Sequence, residues 1–330
     1  MDQLDLFGKP SGRVGPAAFP DATRALGDAL PRNLYFGTSS WAFNGWSGIV
    51  YDRTVPDAVL ATHGLPAYAA HPLLRSVGVD RTFYQTIDAE TFRGWARVVP
   101  PTFRFLVKAS EDTVLARFPR HARYGTRAGQ ENLRFLDAAW TTDAVVGPWS
   151  EGLGHNAGPL VFQLPPQDPS HLGGPERFAT RLHGFLRALP RPPDHGFYAV
   201  EVRNPELLTP ELAAALADVA AIPSLVVHPR MPDLRSQWAQ FRVGTTGPVV
   251  VRWMLGHGLE YENAKANYAP FHRLCAPDPA TRTTVARLAS AMVKLDRPLW
   301  VIVNNKAEGS APRSIEALAG EILEMGSTGA

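Results

Sequence analysis

The fold of this chain is decided by the stretch Phe197-Tyr198-Ala199-Val200-Glu201-Val202-Arg203-Asn204-Pro205. Its aromatic and β-branched residues predict a buried strand over residues 197–202, and the Asn-Pro pair ends that strand. Side chains of a strand alternate between two faces, so Glu201 and Arg203 point to the same side. Because buried charges are either paired or used, the two residues indicate a structural ion pair or a part of a functional site.

The same kind of apolar stretch recurs along the chain, and helical stretches lie between the strands. The predicted strands are Leu34–Thr38, Val77–Asp80, Phe103–Ala109, Gly158–Leu164, Phe197–Val202, Pro223–Val227, Pro248–Trp253 and Leu299–Val303. Strands that alternate with helices are typical of a parallel sheet with helical crossovers, and this series predicts an α/β fold, a single-domain (β/α)8 TIM-like barrel. A doubly wound sheet is the alternative, but the chain lacks the Gly-x-Gly-x-x-Gly that follows the first strand of dinucleotide-binding sheets.

Helices are predicted where apolar residues recur three or four positions apart. One such stretch runs from Gln130 to Val145 and is expected to bury Leu133, Leu136 and Trp140. The weakest helical stretch, Pro229–Ala239, lies between the sixth and seventh strands.

The chain has 330 residues, of which 45% are apolar, so it can bury the core of a large single domain. Its 33 basic and 31 acidic residues give a net charge of +2, which excludes a globally basic nucleic-acid coat protein. A single cysteine, Cys275, allows neither an internal disulfide nor a cysteine metal cluster and fits a reducing cytosol. No apolar run reaches the ~20 residues of a membrane helix, and the N-terminus lacks the regions of a secretion signal. We therefore expect a cytoplasmic protein with no membrane partner.

Residues 1–33 are rich in glycine and proline, so we expect a flexible, disordered tail ahead of a barrel domain at residues 34–330. The tail contains Gln3-Leu4-Asp5-Leu6-Phe7, which resembles the binding motif for the bacterial DNA sliding clamp. In that motif a glutamine anchors the peptide and a leucine-phenylalanine pair fills a hydrophobic pocket. The alternative is that Leu4, Leu6 and Phe7 pack back on the folded domain.

Polar side chains stand at the ends of the predicted strands. They are Ser39, Thr82, Lys108, Gln163, Glu201 with Arg203, His228, Arg252 and Asn304. In a TIM barrel the active site lies at the C-terminal ends of the strands. One charged strand end is ordinary, whereas polar residues at the end of every strand predict a site where they converge.

The types of residue at these strand ends favour an anionic ligand over a metal ion. Metal-assisted hydrolysis needs at least three converging His, Asp or Glu ligands, and here Asp80, Glu201 and His228 are accompanied by basic residues. We therefore expect no metal and no cofactor, and an anionic small molecule or nucleic acid held by guanidinium groups. Glu201 is the candidate general acid or base, and Lys108 is a candidate electrostatic stabiliser or nucleophilic amine, as in a metal-independent hydrolase or lyase.

A run of basic residues follows the third strand. Its members are Arg117, Arg120, His121, Arg123 and Arg127. Such a run is either a solvated face or a surface for a polyanion.

Six motifs, in order along the chain, resemble those of a known family. They are Gly37-Thr38-Ser39-Ser40-Trp41, Thr82-Phe83-Tyr84, Phe105-Leu106-Val107-Lys108-Ala109, Phe162-Gln163-Leu164-Pro165-Pro166, Val200-Glu201-Val202-Arg203 and Val303-Asn304-Asn305. By these motifs the chain resembles the YecE-like family, the domain of unknown function numbered 72, from about Tyr35 to Leu323. The resemblance implies a TIM-barrel-like fold and no particular reaction. Strand ends and motifs together give the candidate substrate-binding residues Ser39, Trp41, Thr82, Tyr84, Gln163, Arg203, His228, Arg252, Asn304 and Asn305.

Two further functions stay open at this point. The clamp-like motif at residues 3–7 and the basic run after the third strand suggest an accessory factor of DNA replication or repair that is tethered to the sliding clamp and has no catalysis of its own. A barrel that binds a metabolite without turning it over is the other alternative.

Overall fold

A computed structural model describes residues 14–241, 247–256, 258 and 260–328 of the chain. Its strands are β1 (Leu34–Thr38), β2 (Ser76–Val79), β3 (Arg104–Lys108), β4 (Ala157–Leu164), β5 (Phe197–Val202), β6 (Ile222–Val227), β7 (Val249–Trp253) and β8 (Leu299–Val303). Each strand pairs in parallel with its neighbour in the sequence, and β8 pairs with β1 to close the barrel. The predicted α/β fold with a TIM-like barrel is therefore confirmed, and each predicted strand end is within one residue of the observed one.

Helices surround the barrel. In the described residues they are α1 (Asp21–Ala29), α2 (Asp57–His63), α3 (Leu65–Ala69), α4 (Ala89–Ala96), α5 (Glu111–Val114), α6 (Ala138–Thr141), α7 (Gly147–Leu153), α8 (Pro169–Leu172), α9 (Pro175–Ala188), α10 (Pro210–Asp218), α11 (Leu234–Phe241), α12 (Tyr261–Tyr268), α13 (Pro279–Lys294) and α14 (Ala311–Thr328). A π-helical turn, Thr142–Val146, joins α6 to α7. None of the described helices combines the length and hydropathy that a membrane crossing needs.

The strands are buried on both faces, which explains why they read as continuous apolar runs. The strands β2, β3, β4, β7 and β8 are buried along their whole length, and their outer faces meet the helix layer. In the register of β4 and β5, Gln163 stands beside Glu201. This pairing brings two of the predicted site residues together at the C-terminal end of the barrel.

The N-terminal boundary of the domain differs from the prediction. Residues 14–33 were expected to lie in the tail, but they include helix α1 and bury Val14, Phe19 and Leu30. The Arg75 guanidinium, just before β2, donates hydrogen bonds to the carbonyl oxygens of Gly27, Leu30 and Pro31. These residues belong to the folded domain. The clamp-like motif at residues 3–7 lies outside the described part of the chain.

The predicted helix from Gln130 to Val145 is wrong over its first half. Residues 130–137 form no helix, and α6 begins only at Ala138, where the Asp137 side chain accepts a hydrogen bond from the Trp140 amide. Leu133 is 89% exposed, although it was expected to be buried. Residues 115–134 form a loop at the C-terminal end of the barrel, called the rim loop below.

A buried amide side chain links the two ends of the rim loop, in addition to backbone hydrogen bonds within the loop and ion pairs to Glu111 and Asp112. Asn132 Nδ2 donates hydrogen bonds of 2.7 Å to the carbonyl oxygens of Asp112 and Leu115. Its Oδ1 accepts a hydrogen bond from the Arg134 amide. The side chain thereby ties the far end of the loop back to its beginning.

Candidate functional site

A cavity of about 680 Å³ opens at the C-terminal ends of the strands, a size that suits a small-molecule ligand. Side chains from the ends of seven strands line it, namely Asp80, Lys108, Gln163, Arg203, His228, Arg252 and Asn304. The rim loop forms its other wall. The predicted convergence of polar strand ends is thus found for these residues apart from Asp80, which takes the place that was predicted for Thr82.

Arg252, on β7, is the centre of the floor of this cavity. Its side chain is 1% exposed, and Nη1 donates to Glu201 Oε2 at 2.8 Å and to Gln163 Oε1 at 3.2 Å. Its Nη2 donates to Asp80 Oδ1 at 3.1 Å. Carboxylates from β5 and from the end of β2 therefore hold one guanidinium between them, so Arg252 has little freedom to move.

Glu201 lies under the floor and does not line the cavity. Its side chain is fully buried, with Oε1 accepting from Arg203 Nε at 2.8 Å and Oε2 accepting from Arg252. Burial raises the pKa of Glu201, but the charges of Arg252 and Arg203 outweigh burial and hold the pKa at about 2. The carboxylate is thus ionised at neutral pH, and both of its oxygens accept hydrogen bonds from arginines. This geometry does not suit the general acid or base expected from the sequence.

Lys108, at the end of β3, reaches the cavity with an ammonium group that is weakly paired. Among the described residues its nearest carboxylate oxygen is Asp80 Oδ1, at 4.0 Å, and its Nζ lies 4.2 Å from the centroid of the Phe83 ring. Burial lowers the pKa of Lys108 to about 8, with a further contribution from the nearby arginines, while Asp80 opposes the shift. Part of the Lys108 population is therefore a neutral amine just above neutral pH.

The charges around the floor do not balance. The cluster of Lys108, Arg203, Arg252, Asp80 and Glu201 carries three positive and two negative charges. An excess charge in a buried place is costly unless a partner compensates it. The excess positive charge faces the cavity, because both Lys108 and Arg203 line it.

His228, after β6, adds a neutral donor to the same cavity. The pKa of His228 is lowered to about 4, mainly by burial. The positive charge of Arg203 also lowers this pKa, and the carboxylate of Glu201 opposes the shift only in part. The Nδ1 atom accepts a hydrogen bond from the Arg230 amide at 3.2 Å. The neutral ring therefore carries its proton on Nε2.

The rim loop adds a second set of cations. Arg117, Arg120 and Arg123 line the cavity, so part of the basic run noted in the sequence meets the strand ends. The Arg123 guanidinium pairs with Glu111 at 2.6 Å, and Arg117 Nη1 donates to the Gly129 carbonyl oxygen. The lining thus contains six Lys or Arg side chains and two aspartates, which gives it a positive potential.

Four predicted binding residues do not line the cavity. Trp41 packs against Trp95 in the helix layer, and its Nε1 donates to the Leu60 carbonyl oxygen. Thr82 Oγ1 lies within hydrogen-bonding distance of two backbone carbonyl oxygens of the barrel, those of Val79 and Lys108. The remaining two are Asn305, whose Oδ1 accepts from the Ala311 amide at the start of α14, and Ser39, whose Oγ accepts from Asn304.

The cavity is also lined by residues outside the predicted set of ligand-binding residues. Asp80 was considered only as a metal ligand, and it proves to be the carboxylate that bridges Lys108 and Arg252. Tyr261, the first residue of α12, lines the cavity and is 55% exposed. The sequence before helix α12 contains no motif from which a position of Tyr261 at the mouth of the barrel could be predicted. Among the described residues, no group of three or more His, Cys, Asp or Glu side chains is arranged to hold a metal ion.

Comparison with known families decides the relationship of this chain. A family model described as "Protein of unknown function DUF72" matches residues 35–327. The chain belongs to the DUF72 family. This confirms the resemblance noted from the six motifs, over almost the same range of residues. The comparison of this DUF72 chain with curated proteins gave no match.

Solved structures of other DUF72 proteins share the fold. A DUF72 family protein from Enterococcus faecalis V583, solved at 3.10 Å resolution, has a TM-score of 0.57 and 14% identity, covering 88% of this chain and 95% of that one. A DUF72 family protein from Thermotoga maritima MSB8, solved at 2.20 Å, has a TM-score of 0.56 and 18% identity, covering 88% and 99%. At these identities the likeness extends to the barrel and not to a reaction.

Proposed function

We propose that the cavity binds a ligand with a phosphate or carboxylate group, which lies against Lys108 and Arg203. The observation that carries this proposal is the excess positive charge of the five-residue cluster on the cavity floor. An anion in the cavity would compensate that charge. Arginine is well suited to the task, because its planar guanidinium donates two parallel hydrogen bonds to such groups.

Each residue around the floor has a distinct part in this proposal. Lys108 and Arg203 contact the anion, and His228 donates a hydrogen bond from Nε2. Glu201 acts as a positioning residue, because it fixes both arginines from below without reaching the ligand. Asp80 holds Arg252 in the same way. Its carboxylate also pairs weakly with Lys108, at 4.0 Å.

Lys108 is also the group that could carry out chemistry in this cavity. An amine with a pKa of about 8 accepts a proton at a pH at which an ordinary lysine does not. We assign to Lys108 the role of proton acceptor or nucleophilic amine toward the bound ligand. The corresponding reaction class is a metal-independent hydrolysis or elimination.

Anion binding is tested by isothermal titration calorimetry of the full chain with inorganic phosphate. The variants Lys108→Met and Arg203→Met each remove one of the two contacting cations, and we expect each to weaken binding at least tenfold. The matched control is Lys294→Met, which removes an exposed lysine at the end of α13. The proposal is wrong if phosphate does not bind to the unaltered protein, or if the control variant loses as much affinity as the other two.

A second candidate function rests on sequence alone. The motif Gln3-Leu4-Asp5-Leu6-Phe7 supports recruitment to a bacterial DNA sliding clamp. A pull-down with purified clamp, with and without residues 3–7, tests it. Binding that persists without the motif would contradict this function. Phosphate binding in the cavity would be unchanged in either case, so the two proposals can fail separately.

A further inference from the structure

Two exposed tyrosines stand at the mouth of the cationic cavity. Tyr84, just after β2, is 60% exposed, and Tyr261 is 55% exposed. Both line the cavity, whereas large apolar side chains elsewhere in the described fold are seldom so open to solvent. Exposed aromatic rings beside a binding cavity offer flat apolar surface to a ligand.

Both rings line the same cavity as the charged side chains of the floor. Burial raises the pKa of both phenols, and the carboxylate of Asp80 raises each of them further. Tyr261 contributes in the same direction to the pKa of Tyr84. The phenols therefore remain protonated at neutral pH, and both lie within electrostatic reach of Asp80, the carboxylate that bridges Lys108 and Arg252.

Each ring is held by a cation over one of its faces. The Arg123 guanidinium carbon lies 4.8 Å from the centroid of the Tyr84 ring, and Lys306 Nζ lies 4.1 Å from the centroid of the Tyr261 ring. Such contacts orient aromatic side chains that would otherwise move freely in solvent. The Tyr84 ring also meets Phe83 edge-to-face, with the ring centroids 5.2 Å apart. Both tyrosines keep more than half of their surface open to solvent, so a planar group of the ligand can stack on the exposed ring surface.

We propose that the anionic ligand of this cavity is a nucleotide, whose base lies against Tyr84 or Tyr261 while its phosphate lies against Lys108 and Arg203. This inference rests on the proposed anion site and adds to it the chemical class of the ligand. Aromatic rings next to an electropositive groove are the combination that binds nucleotides through stacking and charge. A small carboxylate would use the floor and leave the two rings without a role.

The nucleotide can come from two sources with the same chemistry. A free mononucleotide would fill the cavity, whereas the terminal nucleotide of a single strand would continue from it along the arginines of the rim loop. Arg120 and Arg127 are both exposed on that loop. Each additional phosphate contact would then make binding more sensitive to salt.

The test compares three ligands by calorimetry with the full chain at neutral pH. They are adenosine monophosphate, ribose 5-phosphate, which lacks the base, and adenosine, which lacks the phosphate. We expect the nucleotide to bind at least tenfold more tightly than ribose 5-phosphate, in line with the usual contribution of base stacking. A 5′-phosphorylated single-stranded tetranucleotide forms the fourth arm, and a gain in affinity that salt removes would identify the strand end as the source.

Variants of the two tyrosines complete the test. The double variant Tyr84→Ala/Tyr261→Ala is expected to lose the preference for the nucleotide and to bind ribose 5-phosphate as before. The matched double variant with phenylalanine at both positions keeps the rings and should keep the preference. The inference is overturned if adenosine monophosphate and ribose 5-phosphate bind equally, or if the alanine variant retains the preference. Failure of all phosphate-bearing ligands would instead overturn the anion site itself.

Discussion

Glu201 connects the two arginines of the cavity floor, and its removal should therefore affect the fold before it affects any ligand. Glu201→Gln leaves the buried Arg252 guanidinium and the partly buried Arg203 guanidinium with a neutral partner, and breaking a buried ion pair from one side costs about 3–5 kcal/mol. We expect a loss of this size in the free energy of unfolding, measured with urea. Glu151→Gln, which changes an exposed carboxylate on α7, is the control and should lie within about 0.5 kcal/mol of the unaltered protein. Equal stability of the two variants would contradict the role given to Glu201.

The same carboxylate makes the free energy of unfolding depend on pH in the acidic range. The pKa of Glu201 is lowered to about 2 in the fold from an ordinary 4.5, so its contribution is complete above pH 4.5 and is lost as the pH falls toward 2. We expect the unaltered protein to lose stability over this range more steeply than Glu201→Gln. Urea titrations at a series of pH values measure the two slopes. Parallel slopes would show that Glu201 does not have the lowered pKa.

The pKa of Lys108 predicts how anion binding changes in alkali. The ammonium form, which attracts an anion, is lost as the pH rises through about 8. The dissociation constant for sulfate, whose charge is constant in this range, should therefore rise by up to about tenfold per pH unit above pH 8. Lys108→Met should bind sulfate weakly and with a flat profile. A profile that is the same in both proteins would exclude Lys108 from the anion site.

At the scale of elements, the barrel strands pack so closely that β1 needs a glycine at position 37. A Cβ atom on Gly37 of β1 would collide with the carbonyl oxygen of Ser76 in β2. Gly37→Ala should therefore destabilise the fold by about 1–3 kcal/mol, the usual cost of overpacking. Gly94→Ala on α4 is the control, because a Cβ there meets nothing within 4 Å and should stabilise the helix by roughly 0.5–1 kcal/mol. Urea unfolding of both variants measures the difference, and a loss of stability in both would contradict this explanation.

The rim loop depends on Asn132 for its shape. Asn132→Ala leaves the carbonyl oxygens of Asp112 and Leu115 without their donor, which loosens the loop that carries Arg117 to Arg127. We expect faster cleavage of this loop by trypsin and weaker binding of phosphate. Gln130→Ala, an exposed amide on the same loop, is the control and should behave as the unaltered protein does. Equal rates of cleavage in the two variants would contradict the role given to the Asn132 hydrogen bonds.

The strands could be predicted from the sequence because burial on both faces leaves a continuous apolar run for each of them. Helix α1 could not, because its buried positions are Thr23 and Gly27, which carry no apolar signal. It is held instead by hydrogen bonds from Arg75, a residue far along the chain. The apolar spacing after Gln130 was misleading for a similar reason, since Asn132 fixes a loop there through long-range hydrogen bonds.

At the scale of the whole molecule, the positions of the site residues followed from the barrel, but their partners did not. A barrel brings strand ends together whatever their sequence separation, so Lys108, Arg203 and Arg252 could be expected in one place. The sequence does not show that Arg252 pairs with both Glu201 and Asp80. Because of this pairing, the Glu201 carboxylate is not available to contact a ligand. Nor does the sequence place Tyr261 in the same cavity as Tyr84, because that position depends on how α12 packs.

The most direct measurement of the central claim is a crystal of the full chain soaked in selenate, whose anomalous scattering locates the anion. We expect a selenium peak in the cavity, with selenate oxygens within hydrogen-bonding distance of Lys108 Nζ and an Arg203 nitrogen. Crystals of the Lys108→Met variant, soaked at the same selenate concentration, should show a much weaker peak there. An empty cavity in the unaltered protein, with selenate only on the outer surface, would contradict the proposal that Lys108 and Arg203 bind an anion.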